Sequence, residues 1–184
     1  RNCQSCGKRT SFWHDAIDLL GMENMLIRWT AGLIGYPVTS AGNLASGGSV
    51  ANLIGIVSAR DAFNLQSKHF SKAVIYLTEQ VHHSVMKSIR IAGLYNSIIR
   101  HVPMDKKFRM DSVKLEQLIK KDMGHGLQPF LIIASVGTTD TGAVDPINAI
   151  ADISEKYKLW LHADAAYGGY FILCTEGKKI LKGL

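Results

Sequence analysis

Leu161-His162-Ala163-Asp164-Ala165-Ala166-Tyr167-Gly168-Gly169 places a carboxylate at the end of an apolar run that then breaks into a glycine turn. Leu159 to Ala163 is predicted to be a buried strand, with Asp164 at its carboxyl end. Removing an unpaired carboxylate from water is costly, so Asp164 is expected to face a cation or a set of good hydrogen-bond donors. Side chains alternate along a strand, so His162 and Asp164 share one face. A structural acid that only holds the amides of the following turn is the alternative.

Working outward, two more apolar runs precede it. Ala73-Val74-Ile75-Tyr76-Leu77 is a β-prone stretch that feeds Gln80 and His82, and Phe130 to Val136 is a second strand ending at Gly137-Thr138-Thr139. Helical spacing separates them. Ala16, Ile17, Leu20, Leu26, Trp29 and Leu33 predict one or two leading helices, closed at Gly35-Tyr36-Pro37. Val50, Leu53, Ile54 and Val57 predict an apolar helix face after Ser46-Gly47-Gly48-Ser49, and Val85, Ile89 and Ala92 predict another helix. Asp111 is a candidate cap for a helix carrying Leu115, Leu118 and Ile119. Asp145-Pro146 is read as a helix start, with Asp145 as N-cap and Ile147, Ile150 and Ala151 on the buried face. Strands alternating with helices imply an α/β domain whose mostly parallel sheet is covered on both faces. Ligands in such sheets sit beyond the carboxyl ends of the strands, where Gln80 to His82, Thr138-Thr139 and Asp164 should converge.

The 184 residues, 47% hydrophobic and 20% charged, suffice for one domain with a core. The chain opens on Arg1 and is expected to be a piece of a longer protein. Its net charge of +6 comes from scattered pairs such as Lys106-Lys107, Lys120-Lys121 and Lys178-Lys179, not from one stripe with interleaved aromatics, so no nucleic-acid partner is expected. Cys3 and Cys6 form a lone C-x-x-C without a second pair or a spaced histidine, so no metal site is expected. There is no signal-peptide pattern and no apolar stretch approaching the roughly 20 residues of a membrane helix. A cytoplasmic location without membrane attachment is the expectation.

Gly48 and Ser49 open a helix, where free amides and the dipole favour an anion, although glycine before a helix is also an ordinary turn. His82 could stack on a flat ring or shuttle a proton. His83 should diverge from it, so that only one points into the crevice. Thr138 and Thr139 could contact a ligand or satisfy the turn backbone. The order Ser49, Asp145, His162 imitates a hydrolase triad, but Ala41 to Ala45 is too short and glycine-rich for the strand that a nucleophile elbow needs.

Four segments taken together resemble the group II pyridoxal-phosphate decarboxylases, which include aromatic-amino-acid, glutamate and diaminobutyrate decarboxylases. They are Gly42-Asn43-Leu44-Ala45-Ser46-Gly47-Gly48-Ser49-Val50-Ala51-Asn52, Glu79-Gln80-Val81-His82-His83-Ser84-Val85, Gly137 to Asp145, and Trp160 to Gly169. The resemblance implies a fold-type I large domain, of which residues 1–184 would be a part, and usually a homodimer acting on an amino acid. It also implies pyridoxal 5'-phosphate as cofactor. Gly48 and Ser49 would hold the phosphate, and His82 would stack on the ring as the catalytic histidine. Ala166 would pack on the opposite face, Thr139 would contact the cofactor, and Asp164 would pair with the ring nitrogen, keeping it protonated.

Two positions depart from the family pattern: Val50 stands where an acid is common, and His83 where a small hydroxyl residue is usual. The family's Schiff-base lysine lies in an Asn-Pro-His-Lys type motif beyond the Asp164 segment, and no such motif occurs up to Leu184. Lys178, Lys179 and Lys182 lack that context. The segment alone is therefore expected to turn over minimally, with the intact protein a decarboxylase. A noncatalytic cofactor-binding or interaction protein on the same fold is the alternative. Another fold-type I enzyme, such as an aminotransferase or a carbon-sulfur lyase, would share the aspartate and phosphate logic but not the four-segment match.

Overall fold

The computed structural model describes residues 7–183, with side chains from residue 20. Cys3 and Cys6 lie outside the described residues. Two compact units divide the chain, Arg1–Ala45 and Ser46–Leu184. In the first, α1 (Gly7–Ile34) is one continuous helix through Gly21. It ends at Gly35, where the Tyr36 amide donates to the Ala31 carbonyl at 2.9 Å. Leu20, Leu26 and Trp29 are exposed, so the helical spacing correctly indicates the helix without marking a buried stripe.

The second unit carries α2 (Gly48–Ala62), β1 (Ala73–Leu77), α3 (His83–Ile91), β2 (Ile98–His101) and α4 (Ser112–Gly124). It continues with β3 (Gln128–Ser135), α5 (Ile147–Tyr157), β4 (Trp160–Asp164) and α6 (Thr175–Ile180). All four strands are parallel, in the order β2-β1-β3-β4. Every residue of β1 is buried, as the β-branched run of a strand covered on both faces should be.

Alternation assigns the two faces. Ala73, Ile75 and Leu77 join Leu131 and Ile133 in a core with Ile56 and Ala59 of α2 and Val85 and Ile89 of α3. A register shift between Val74 and Ile75 turns Phe130 into the same core, edge-on to Phe63. On the other face Tyr76 donates to Asp122 of α4 at 2.9 Å, and α4 and α5 pack on β3 and β4.

Two expectations are corrected, and one strand is added. The strand β2 was not anticipated. The buried face of α2 is Asn52, Ile56 and Ala59, whereas Val50 and Ile54 are exposed and Leu53 and Val57 only partly buried. Asp145 does not cap α5: its carboxylate is buried and accepts from the Met110 and Ser135 amides, both at 2.7 Å. It pins the chain before α4 to the end of β3. By contrast, Asp111 caps α4 as expected, accepting from the Val113 and Lys114 amides.

The strand order reverses between β1 and β3. Loops leaving these two strands depart in opposite directions, which opens a crevice at their carboxyl ends.

Candidate functional site

That crevice, about 290 Å³, is lined by Gly48, Ser49, His82, Thr139, Asp164 and Ala166, the six residues singled out in the sequence. They arrive on four separate segments of the chain. Gly48 and Ser49 form the first turn of α2, whose leading amides have no acceptor within the helix, and Gly47 offers no side chain to cap them. His82 is the N-cap of α3, its Nδ1 accepting from the Ser84 amide at 3.3 Å. Asp164 ends β4, and Ala166 follows in the turn. A Cβ added to Gly48 would lie 3.4 Å from the Ala166 Cβ, so these two segments approach closely.

Thr138 and Thr139 separate in role. Thr138 is buried and pairs with the Thr141 hydroxyl at 2.7 Å, while Thr139 is exposed at the crevice. Both follow Gly137, whose φ of +89° and closeness to Tyr167, 2.9 Å from an added Cβ, admit no larger residue without strain.

Asp164 is satisfied by donors. Its Oδ2 accepts from Asn52 Nδ2 at 2.9 Å and its Oδ1 from the Ala166 amide at 3.3 Å. Among the described residues no lysine or arginine pairs with it. His162 lies on the same face of β4, as alternation requires, with Nε2 2.8 Å from Asn52 Oδ1. Burial pushes its pKa below the usual histidine value, with the Asp164 charge opposing, so His162 is neutral at pH 7. Its Nε2 contact holds the Asn52 amide in place.

One site expectation is corrected, and the hydrolase-like triad set aside on sequence grounds is absent. The His82 and His83 rings do not diverge; their centroids are 4.0 Å apart, because the helix begins between them. His82 nevertheless lines the crevice. The Ser49, Asp145, His162 triad does not assemble, since Asp145 binds backbone amides and the His162 Nε2 is engaged by Asn52.

Sequence reasoning passed over Asn52 and Ser84, and placed Gln80 at the crevice without giving it a role of its own. Asn52 is buried and donates to Ser84 Oγ as well as to Asp164. A polar residue one turn after Ser49, flanked by the apolar residues Val50, Ala51, Leu53 and Ile54, was the available signal, because buried amides need partners. The Gln80 Oε1 is buried in the crevice wall and has no partner. Such an orphaned acceptor fits a ligand that brings a donor.

Similarity to known proteins follows the same outline. The family model for the pyridoxal-dependent decarboxylase conserved domain matches residues 3–184. An aromatic-L-amino-acid decarboxylase of Bacillus atrophaeus is 36% identical over 89% of this chain and 34% of its own length. Among solved structures, the glutamate decarboxylase domain of a Vibrio parahaemolyticus diaminobutyrate-pyruvate transaminase and L-2,4-diaminobutyrate decarboxylase superposes with TM-score 0.87. It is 31% identical over 93% of this chain and 39% of that one. The TDC of Oryza sativa with PLP and tryptamine gives 0.81 at 29% identity, over 93% and 38%. The chain thus spans about a third of the length of the curated relatives it matches.

Proposed function

The chain belongs to the pyridoxal-dependent decarboxylase family, and on that premise we propose that the whole protein removes the carboxylate of an amino acid as carbon dioxide, leaving the amine, with pyridoxal 5'-phosphate as cofactor. Residues 1–184 are, on this reading, part of its cofactor-binding large domain. The observation that carries the proposal is the convergence of Gly48, Ser49, His82, Thr139, Asp164 and Ala166 on one crevice from separate elements.

The donor set suits the cofactor. The uncapped first turn of α2 and the Ser49 hydroxyl would take the phosphate. His82 and Ala166 would flank the ring, Thr139 and the orphaned Gln80 Oε1 would contact its edge, and Asp164 would hold a proton on the ring nitrogen. Bound there, pyridoxal phosphate supplies the sink for the electrons released when the carboxylate leaves. The chain's own residues do the rest. Asp164 accepts from the Asn52 side chain and from the Ala166 amide, which hold its carboxylate in place at the end of β4. The ring of His82, which lines the crevice, would close one face of the cofactor to water.

No Asn-Pro-His-Lys type motif occurs within these 184 residues, so they are not expected to turn over substrate by themselves. A homodimer and a cytoplasmic location complete the proposal. The test is carbon dioxide release by the full-length protein from aromatic amino acids, glutamate and 2,4-diaminobutyrate, with the bound chromophore followed by absorbance. A bound chromophore without release from any of them would favour the noncatalytic cofactor-binding reading.

A further inference from the structure

Asn52 has every polar atom engaged, though nearly its whole surface is buried (3% exposed). Its Nδ2 donates to Asp164 Oδ2 at 2.9 Å and to Ser84 Oγ at 3.1 Å. Its Oδ1 faces His162 Nε2 at 2.8 Å. The amide cannot be turned the other way, because its oxygen would then face the Asp164 carboxylate. His162 must therefore carry its proton on Nε2.

The same logic runs in the other direction. The Ser84 amide can only donate, and it points at His82 Nδ1 at 3.3 Å, so that nitrogen is an acceptor. The Ser84 hydroxyl lies 2.7 Å from the same atom and already receives the Asn52 amide, so it donates to Nδ1. The ring proton of neutral His82 is left on Nε2. A continuous chain of bonds thus joins Asp164 to His82 through Asn52 and Ser84, with His162 buttressing the Asn52 oxygen.

We propose that Asn52 is a positioning residue that locks Asp164 and His82 into one hydrogen-bonded unit and, through Ser84, fixes His82 with its proton on Nε2. The inference rests on the cofactor reading for its purpose: the group facing the ring nitrogen and the group covering the ring are set in register by one amide. The hydrogen-bond assignment itself holds without any cofactor.

The experiment uses full-length protein labelled with ¹⁵N-histidine. In the cofactor-free form, long-range ¹H–¹⁵N correlations should show both His82 and His162 protonated on Nε2. Asn52→Leu, close in volume but unable to hydrogen-bond, should mix the His162 tautomers and weaken pyridoxal phosphate about tenfold or more by absorbance titration. Ser84→Ala retains the Asn52 to Asp164 bond and the backbone amide that donates to His82 Nδ1, but loses the hydroxyl; it should lower the His82 preference for the Nε2 proton while leaving His162 on Nε2. A wild-type His82 protonated on Nδ1 overturns the proposal, as does an Asn52→Leu protein with unchanged tautomers and unchanged cofactor affinity. Failure of the wild-type protein to bind pyridoxal phosphate would instead overturn the proposed function, since the tautomers are read without it.

Discussion

His162 is seated directly against Gly55: a Cβ built on that glycine would lie 2.5 Å from His162 Nδ1. The missing side chain on α2 is what lets the imidazole of β4 reach Asn52. Gly55→Ala should therefore push the ring off Asn52 despite the better helix propensity of alanine. The expected loss is about 1–3 kcal/mol by urea denaturation, typical of overpacking. A stability gain would mean that the ring has room to yield.

Asp145 offers a test that separates two roles. Asparagine caps helices about as well as aspartate, so Asp145→Asn would be nearly silent if the residue capped α5. Its carboxylate instead accepts from the Met110 and Ser135 amides, and an asparagine would turn an NH₂ toward one of those donors. A loss of about 1–3 kcal/mol in denaturant unfolding is expected.

On the face of the sheet away from α2 and α3, Asp122 accepts from Arg100 and from Tyr76. Burial pushes the Asp122 pKa up, but the hydrogen bonds from Arg100 and Tyr76 and the Arg100 charge outweigh it and hold the value below the usual carboxylate range. A depressed folded pKa gives stability that is complete above the unfolded value of about 4 and is lost as pH falls through the folded value. Unfolding midpoints measured between pH 6 and pH 2 should fall on the acid side. Arg100→Ala should remove part of that slope and cost about 2–3 kcal/mol at neutral pH, below the cost of an enclosed pair because Arg100 keeps 35% of its side chain exposed. An unchanged acid slope would remove Asp122 from the account.

At the mouth of the crevice, Ser49→Ala removes one hydroxyl donor but leaves the helix amides. Pyridoxal phosphate affinity of the full-length protein should fall by a factor of about 2–10, the value of one net hydrogen bond. Fluorescence quenching on cofactor addition measures it, and an unchanged affinity would place the phosphate away from α2.

The strands β1 and β3 were legible because their runs are mostly apolar, as strands covered on both sides must be, and β4 because Leu159 to Ala163 leads up to the acid at its end. Ile98-Ile99-Arg100-His101 was not, since β2 is a short, partly exposed edge strand whose arginine serves Asp122. The crevice residues were legible as motifs because each sits where a strand or a loop ends. What local pattern could not reveal was which atoms meet across the fold. Apolar spacing in α2 favours Val50 and Ile54 as the buried side, yet the helix turns Asn52 inward because Asp164, Ser84 and His162 satisfy it there. Asp145-Pro146 has the form of a helix start, and only the distant Met110 amide shows why the acid is withdrawn from that task.

On the proposed function, Asp164 would face the ring nitrogen of a bound pyridoxal phosphate and so control the release of carbon dioxide. The most direct measurement is carbon dioxide release by full-length wild-type and Asp164→Asn proteins, each saturated with cofactor as judged by its chromophore. Asparagine can still accept from Asn52 but cannot keep the ring nitrogen protonated, so kcat should drop by about a hundredfold or more, with the chromophore still bound. An Asp164→Asn protein that binds cofactor and releases carbon dioxide at the wild-type rate would contradict the account.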